Sequence, residues 1–280
     1  MRPFGEFQCM PPKFWALVKY VSQELKYTDS DTGLVRMYSE DEIMNLLDAN
    51  EYSFEYEIVR SVSKYSQARA ELLNSTVKTN LMDADAARRE YELLQSVHTE
   101  NAYRCKIPMN KQSGDKQHVM YLTAIVNILT EQTLRTYTPH IEGKYFVDDP
   151  TKYIYAVDAN QCLVGTASRH MDGAYPTLVN PLIVWEIKEY YGTKTFGSRV
   201  ADGVYETQLD GYERKKFEQY IGHRILHVLF VDDYFTWWVK GKSYLCRLVD
   251  ILNEGLVDEI IIGREVLNRW PEVLRSVLDQ

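Results

Sequence analysis

VWEIKEYY, Val184–Tyr191, sets two charged side chains, Glu186 and Lys188, into a run whose other members are the apolar and aromatic residues of a buried strand. Side chains alternate across a strand, so Glu186, Lys188 and Tyr190 share one face, while Ile183, Trp185 and Ile187 share the other. The second face packs, which leaves the first to carry chemistry or meet water. Upstream, SRHMDGAY (168–175) reaches this strand through the short connection PTLVNP (176–181). A hairpin centred near Val179 places Asp172 across from Glu186, with Cβ atoms roughly 5 Å apart. Carboxylates that close repel, and a divalent cation removes the repulsion. Asp172, Glu186 and the backbone carbonyl of Ile187 are expected to form the protein share of a Mg²⁺ octahedron, with Mn²⁺ as a substitute and water and a phosphate oxygen in the remaining positions. Lys188 points into the same pocket, where its ammonium can orient a water or offset charge on phosphate. The plainer reading is a structural ion pair on a half-exposed sheet face.

The tripeptide alone is not diagnostic, because Glu-x-Lys recurs at Glu24/Lys26, Glu142/Lys144 and Glu213/Lys215. Those at 24 and 213 fall in helical patterns and the one at 142 sits beside a glycine; none follows an Asp-bearing strand.

Elsewhere the chain reads as an ordinary folded protein. Its 280 residues are 45% hydrophobic and 12% aromatic, ample for a packed core. No run of eighteen apolar residues and no secretory signal pattern occurs, so no membrane association and a cytoplasmic location are expected. Cys9, Cys105, Cys162 and Cys246 lack metal-site spacing and are expected to be buried free thiols. The net charge of −8 argues against broad phosphate affinity, although a local groove can stay positive and a partner subunit can supply basic surface. Residues 1–110 hold 13 Lys/Arg against 17 Asp/Glu, so the acidity is not confined to a tail.

Residues 1–110 read as helices that select a target or dock a partner: an apolar stripe Phe14, Leu17, Val18, Val21 and Leu25; a capping box Ser39/Glu42; a stripe Phe54, Ile58, Val62 and Tyr65; and a helix near 83–97. Arg88 and Arg89 on the last of these read as a solvated face. The polar stretch PMNKQSGDKQ (108–117) marks the border with a second domain, 117–280. That domain opens with a helix near 117–136, then strands in KYFVD, KYIYAVD, VGTASRHMDGAY and LIVWEIKEYY, a helix near 202–220, the strand ILHVLFVDD, the helix SYLCRLVDILNE and the strand DEIIIGRE. This order predicts an α/β (α+β mixed) fold with a mixed central sheet flanked by helices.

On the helix after the central strand, QLDGY puts Gln208 and Tyr212 one turn apart. With Asp172, Glu186 and Lys188 upstream, the C-terminal three-fifths resembles the PD-(D/E)XK nuclease superfamily, whose core is restriction-endonuclease-like and whose RecB-like branches add Gln-x-x-x-Tyr. Met171 stands where that family often has proline. The resemblance implies a Mg²⁺-dependent deoxyribonuclease leaving 5′-phosphates, with a role in restriction, antiphage defence or repair. Asp172, Glu186, Lys188, Gln208 and Tyr212 would be its catalytic set. Glu131, one turn from Asn127, is the candidate for an added metal-binding acid, with a solvated glutamate as the alternative. His118 and His170 are considered for the histidine of RecB-like branches. In the loop YYGTKTFGSRVADG, Lys194, Ser198 and Arg199 are candidate contacts to the DNA backbone. His223 and His227 read as core or surface histidines, and Trp237 and Trp238 as packing residues. A helicase or ATPase subunit, a methyltransferase, or a second copy of the chain are the partners such a role invites. A non-catalytic binding subunit, an RNase and an assembly protein stay open.

Overall fold

The computed structural model describes residues 1–109, 118–137, 146–148, 151–191 and 197–279. The N-terminal part packs three helices, α1 (Pro12–Glu24), α2 (Glu40–Ala49) and α3 (Tyr56–Leu72), around Phe14, Leu17, Ile43, Leu47, Val59 and Tyr65. Their start signals act as read: Pro12 opens α1, and Ser39 and Glu42 cap α2 reciprocally. The chain after α3 continues through a wider turn to Asn80. It then enters α4 (Ala84–Glu100), capped by the Asp83 side chain on the Ala86 N–H.

Helix α5 (Tyr121–Tyr137) follows, then the strand pair β1 (Tyr155–Val157) and β2 (Leu163–Thr166), which form a small antiparallel sheet. The main sheet takes β3 (Gly173–Tyr175), β4 (Ile183–Glu189), β5 (Leu226–Asp232) and β6 (Glu259–Ile262) in sequence order. Its β3–β4 pair is antiparallel and the two pairs after it are parallel. Of KYFVD, only 146–148 fall among the described residues; Val147 exchanges backbone hydrogen bonds with Ala174 at the β3 edge. Parallel neighbours need crossovers, supplied here by α6 (Ser198–Ile221) and α7 (Lys242–Asn253). A last helix, α8 (Val266–Leu278), closes the chain.

The fold is therefore mixed α/β with a helical N-terminal region, as the element order predicts. Two layers flank the sheet. Ile183, Trp185, Ile187, Val228, Phe230 and Ile261 pack against α5 and α8, while Leu229, Val231, Ile260 and Ile262 pack against α7 and the start of α6. Glu186 and Lys188 emerge on the α6 side. The border expected at 108–117 lies mostly outside the described residues. Helix α4, expected in the N-terminal unit, joins the C-terminal core: Tyr91 and Cys105 share one cluster with α5. All four cysteines are free, but only Cys105 and Cys246 are buried; Cys9 and Cys162 are exposed, against expectation. Among the described residues no helix is long and apolar enough to cross a membrane.

Candidate active site

The hairpin sets the site. Gly173 pairs with Trp185 and Tyr175 with Ile183, the expected register, and one further step puts Asp172 opposite Glu186. Gly173 makes the pairing possible, because a Cβ there would lie 1.9 Å from the Trp185 ring. Asp172 Oδ2 accepts a hydrogen bond from the Ile187 N–H at 2.7 Å. Since the N–H and C=O of one strand residue leave on the same edge, the Ile187 carbonyl faces the Asp172 side of the strand.

Glu186 and Lys188 are 5% and 7% exposed, so their charges need partners. Lys188 Nζ donates to Glu186 Oε1 at 2.7 Å and to Glu206 Oε2 at 2.6 Å. Arg169 donates to the same Glu186 oxygen at 2.9 Å, to Glu206 Oε2 at 3.1 Å and to Asp210 Oδ2 at 2.8 Å. Gly203 gives the lysine room: a Cβ there would lie 3.4 Å from Lys188 Cδ and Cε. Glu186 Oε2, by contrast, is buried without a hydrogen-bond partner among the described residues. Four carboxylates (Asp172, Glu186, Glu206, Asp210) thus face two cations, an excess of two negative charges when all are ionised.

Burial and the neighbouring charges together set the titration behaviour. Burial, then the Glu186 charge, pushes Asp172 above the usual carboxylate range, against the pull of the Ile187 N–H and the two cations. Burial would push Glu186 up as well, yet Lys188 and Arg169 outweigh it and hold Glu186 below its ordinary value. Burial, with repulsion from Glu186, overcomes the attraction of Arg169 and raises Asp210 to about 7. Lys188 is depressed by burial but lifted further by Glu186 and Glu206, so it is an ammonium at neutral pH and an electrostatic group rather than a base.

Among the described residues no set of three or more His, Cys, Asp and Glu side chains is preassembled for a metal. The donors that do converge are two carboxylates and one carbonyl. They suit a hard cation that keeps several waters, and the orphaned Glu186 oxygen is the atom such an ion would satisfy.

The other expected site residues fall elsewhere. Glu131 sits on α5, across the sheet from Glu186. Its carboxylate accepts the Arg104 and Cys105 N–H groups at 2.6–2.9 Å and an Arg135 hydrogen bond, so it anchors a turn rather than joining the cluster. Gln208 and Tyr212 are neighbours, 3.5 Å apart on α6, but they face away from Glu206 and Asp210 by about half a helical turn, so they too stay outside it. Ser198 and Arg199 are exposed at the start of α6; Lys194 lies outside the described residues. His118 is exposed, and His170 is exposed against the Tyr153 ring. His223 lies 3.2 Å from the Pro181 carbonyl and His227 is in the core, as expected. Trp237 and Trp238 are buried. Arg88 pairs with Asp85 and Glu92 on a solvated face.

Sequence reading missed Arg169, Glu206 and Asp210. The i,i+4 spacing of the two acids on α6 was a usable signal, whereas nothing local marks Arg169.

No curated protein and no solved structure matches the chain. Residues 1–76 match a family model described as Domain of unknown function (DUF7690). Residues 82–277, the whole sheet and its flanking helices, match the model described as Domain of unknown function (DUF7687), and the chain belongs to that family.

Proposed function

We propose that this protein is a Mg²⁺-dependent phosphodiesterase that hydrolyses DNA, of the PD-(D/E)XK type, with Mn²⁺ able to replace Mg²⁺. The observation that carries the reading is the convergence of Asp172, Glu186 and Lys188, with Glu186 Oε2 buried and unpartnered among the described residues. Asp172, Glu186 Oε2 and the Ile187 carbonyl would hold the cation. When bound, the ion supplies Lewis-acid polarisation of the phosphate and acidifies water. Lys188, fixed as an ammonium between Glu186 and Glu206, stabilises charge that develops on the phosphate oxygens. Arg169 holds Glu186 by Oε1, which leaves Oε2 as the oxygen that would serve a cation. Ser198 and Arg199, with Lys194 upstream, would receive the DNA backbone. Cleavage leaving a 5′-phosphate, in restriction, antiphage defence or repair, fits this reading. The acidic N-terminal helices would then select the target or dock a helicase, an ATPase or a methyltransferase.

One observation favours a second reading. The Arg169 guanidinium already spans three carboxylates, as a purely structural network would have it, and a fold so stabilised could bind nucleic acid or protein without cutting it. One experiment separates the two. Purified protein is incubated with supercoiled, linear and single-stranded DNA and with RNA, in Mg²⁺, Mn²⁺ or EDTA. The nuclease reading expects DNA cleavage that EDTA abolishes and that Asp172→Ala and Lys188→Ala each slow by about 10²–10³-fold with folding intact. Intact DNA in every metal, with candidate partners present, would sink it; cleavage of RNA alone would move the substrate class.

A further inference from the structure

A cavity of about 480 Å³ lies where α1 meets α6 and α7, away from the carboxylate cluster. That volume falls within the range of small-molecule sites. Its charge balance is specific. Lys19, on one wall, is paired with Glu254 at 2.6 Å. Asp250, on another, is neutralised by the buried Arg69. Arg247 has no carboxylate partner among the described residues. Its guanidinium lies 5.7 Å over the Tyr27 ring and 5.4 Å over the Tyr244 ring, and 3.5 Å from the Tyr205 hydroxyl. One uncompensated positive charge therefore faces a cavity in a protein whose net charge is −8.

The remaining lining is of two kinds. Val204 and Ile251 give a buried apolar floor, and Gln23 and Gln208 bring amides that can both donate and accept. Tyr27 and Tyr205 add aromatic surface with hydroxyl ends. A guanidinium fork suits phosphate oxygens, while rings and a planar cation suit a flat aromatic group.

We propose that this cavity binds a nucleoside monophosphate, its phosphate on Arg247 and its base among Tyr27, Tyr205 and the glutamine amides. Gln208 would then be a ligand-binding residue at this site. The cavity and the acidic cluster occupy different faces of α6, so binding can be measured whether or not the chain is a nuclease.

The test is calorimetric titration of the full chain with 5′-AMP, adenosine and inorganic phosphate. Saturable binding of AMP is expected, with adenosine and phosphate each weaker by about tenfold or more. Arg247→Ala should weaken AMP by about tenfold or more, and Arg247→Lys should restore it only in part, because charge is kept but the fork is lost. Gln208→Ala, on a partly exposed position that leaves the fold undisturbed, should weaken it severalfold. Competition with a 5′-phosphorylated oligonucleotide tells a strand end, which displaces AMP, from a free nucleotide, which is not displaced; either supports the site. No saturable binding of AMP, GMP, CMP or UMP at millimolar concentration would overturn the proposal, as would unaltered binding in Arg247→Ala.

Discussion

Glu186 divides its two oxygens between different tasks: Oε1 is held by an ammonium and a guanidinium, and Oε2 is left buried without a donor among the described residues. An unsatisfied buried acceptor destabilises by about 1–3 kcal/mol, so the arrangement persists only because the surrounding ion pairs over-determine it. His227 shows the same physics in a group that titrates. It is fully buried, its Nδ1 lies 3.1 Å from the Leu256 carbonyl, and its Nε2 has no partner among the described residues. The carbonyl can only accept, so the ring proton belongs on Nδ1. Burial, then the Arg214 charge, lowers the imidazole from 6.5 to about 4. Between those values the unfolded chain holds a proton that the folded chain does not. The His227 contribution is thus complete above about pH 6.5 and is lost as pH falls toward 4. Urea unfolding across this range should show the wild type losing stability faster than His227→Leu, by at most about 3 kcal/mol at the acid end. Parallel curves for the two proteins would assign the acid limb to other groups.

At the scale of elements, the β3–β4 hairpin positions Asp172, and two glycines control it by different means. An alanine at 173 must displace the Trp185 ring, which is itself fully buried. Gly173→Ala should therefore destabilise by about 1–3 kcal/mol, read as a lower urea midpoint, and lose any cleavage with it. A methyl at 203 meets Lys188 and the Tyr190 hydroxyl at 3.1–3.4 Å, contacts a long side chain can yield to. Gly203→Ala should leave the midpoint within about 1 kcal/mol while slowing the proposed DNA cleavage, since Lys188 moves. Equal loss of stability in the two variants would refute the distinction. The hairpin was legible in the sequence because strand alternation and a short connection leave little freedom in register. Helix α6 was legible as a helix but not in its orientation. Its buried face includes Thr207, Asp210 and Arg214, so no apolar stripe announces which side turns inward, and Gln208 and Tyr212 could be paired but not aimed. Helix α8 lies beyond the last element expected, although Val266, Trp270, Val273, Leu274 and Val277 carry a helical period; Pro271 in its interior is a local signal against a helix. Packing of this helix against α5, with Trp270 donating to Thr130 at 2.8 Å, overrides that local signal.

For the whole molecule, the question is whether the N-terminal helices are an appendage or part of one cooperative fold. Arg69 of α3 is fully buried and donates to both oxygens of Asp250 on α7, at 3.0 and 3.2 Å, and to Ser22 of α1 at 2.9 Å. Tyr65 donates to the same carboxylate at 2.7 Å. Leu73, near the end of the first matched region, and Val77 and Leu81, between the two, share the core of α7 and β6, so no exposed linker separates them. Removing the arginine alone strands a buried carboxylate; removing both charges does not. Arg69→Met should thus destabilise the chain by about 3–5 kcal/mol, and Arg69→Met with Asp250→Leu should recover much of that loss. The tryptophans make the location of the effect readable, since Trp15 lies among the N-terminal helices while Trp185, Trp237, Trp238 and Trp270 lie in the C-terminal core. In the Trp15→Phe chain, where fluorescence reports the C-terminal core alone, fluorescence and far-UV circular dichroism, to which the N-terminal helices contribute, should give one shared urea midpoint. That midpoint should move as a unit in Arg69→Met. If the circular dichroism began to melt before the core fluorescence, the two regions would be separately folding units and the buried pair a contact between them.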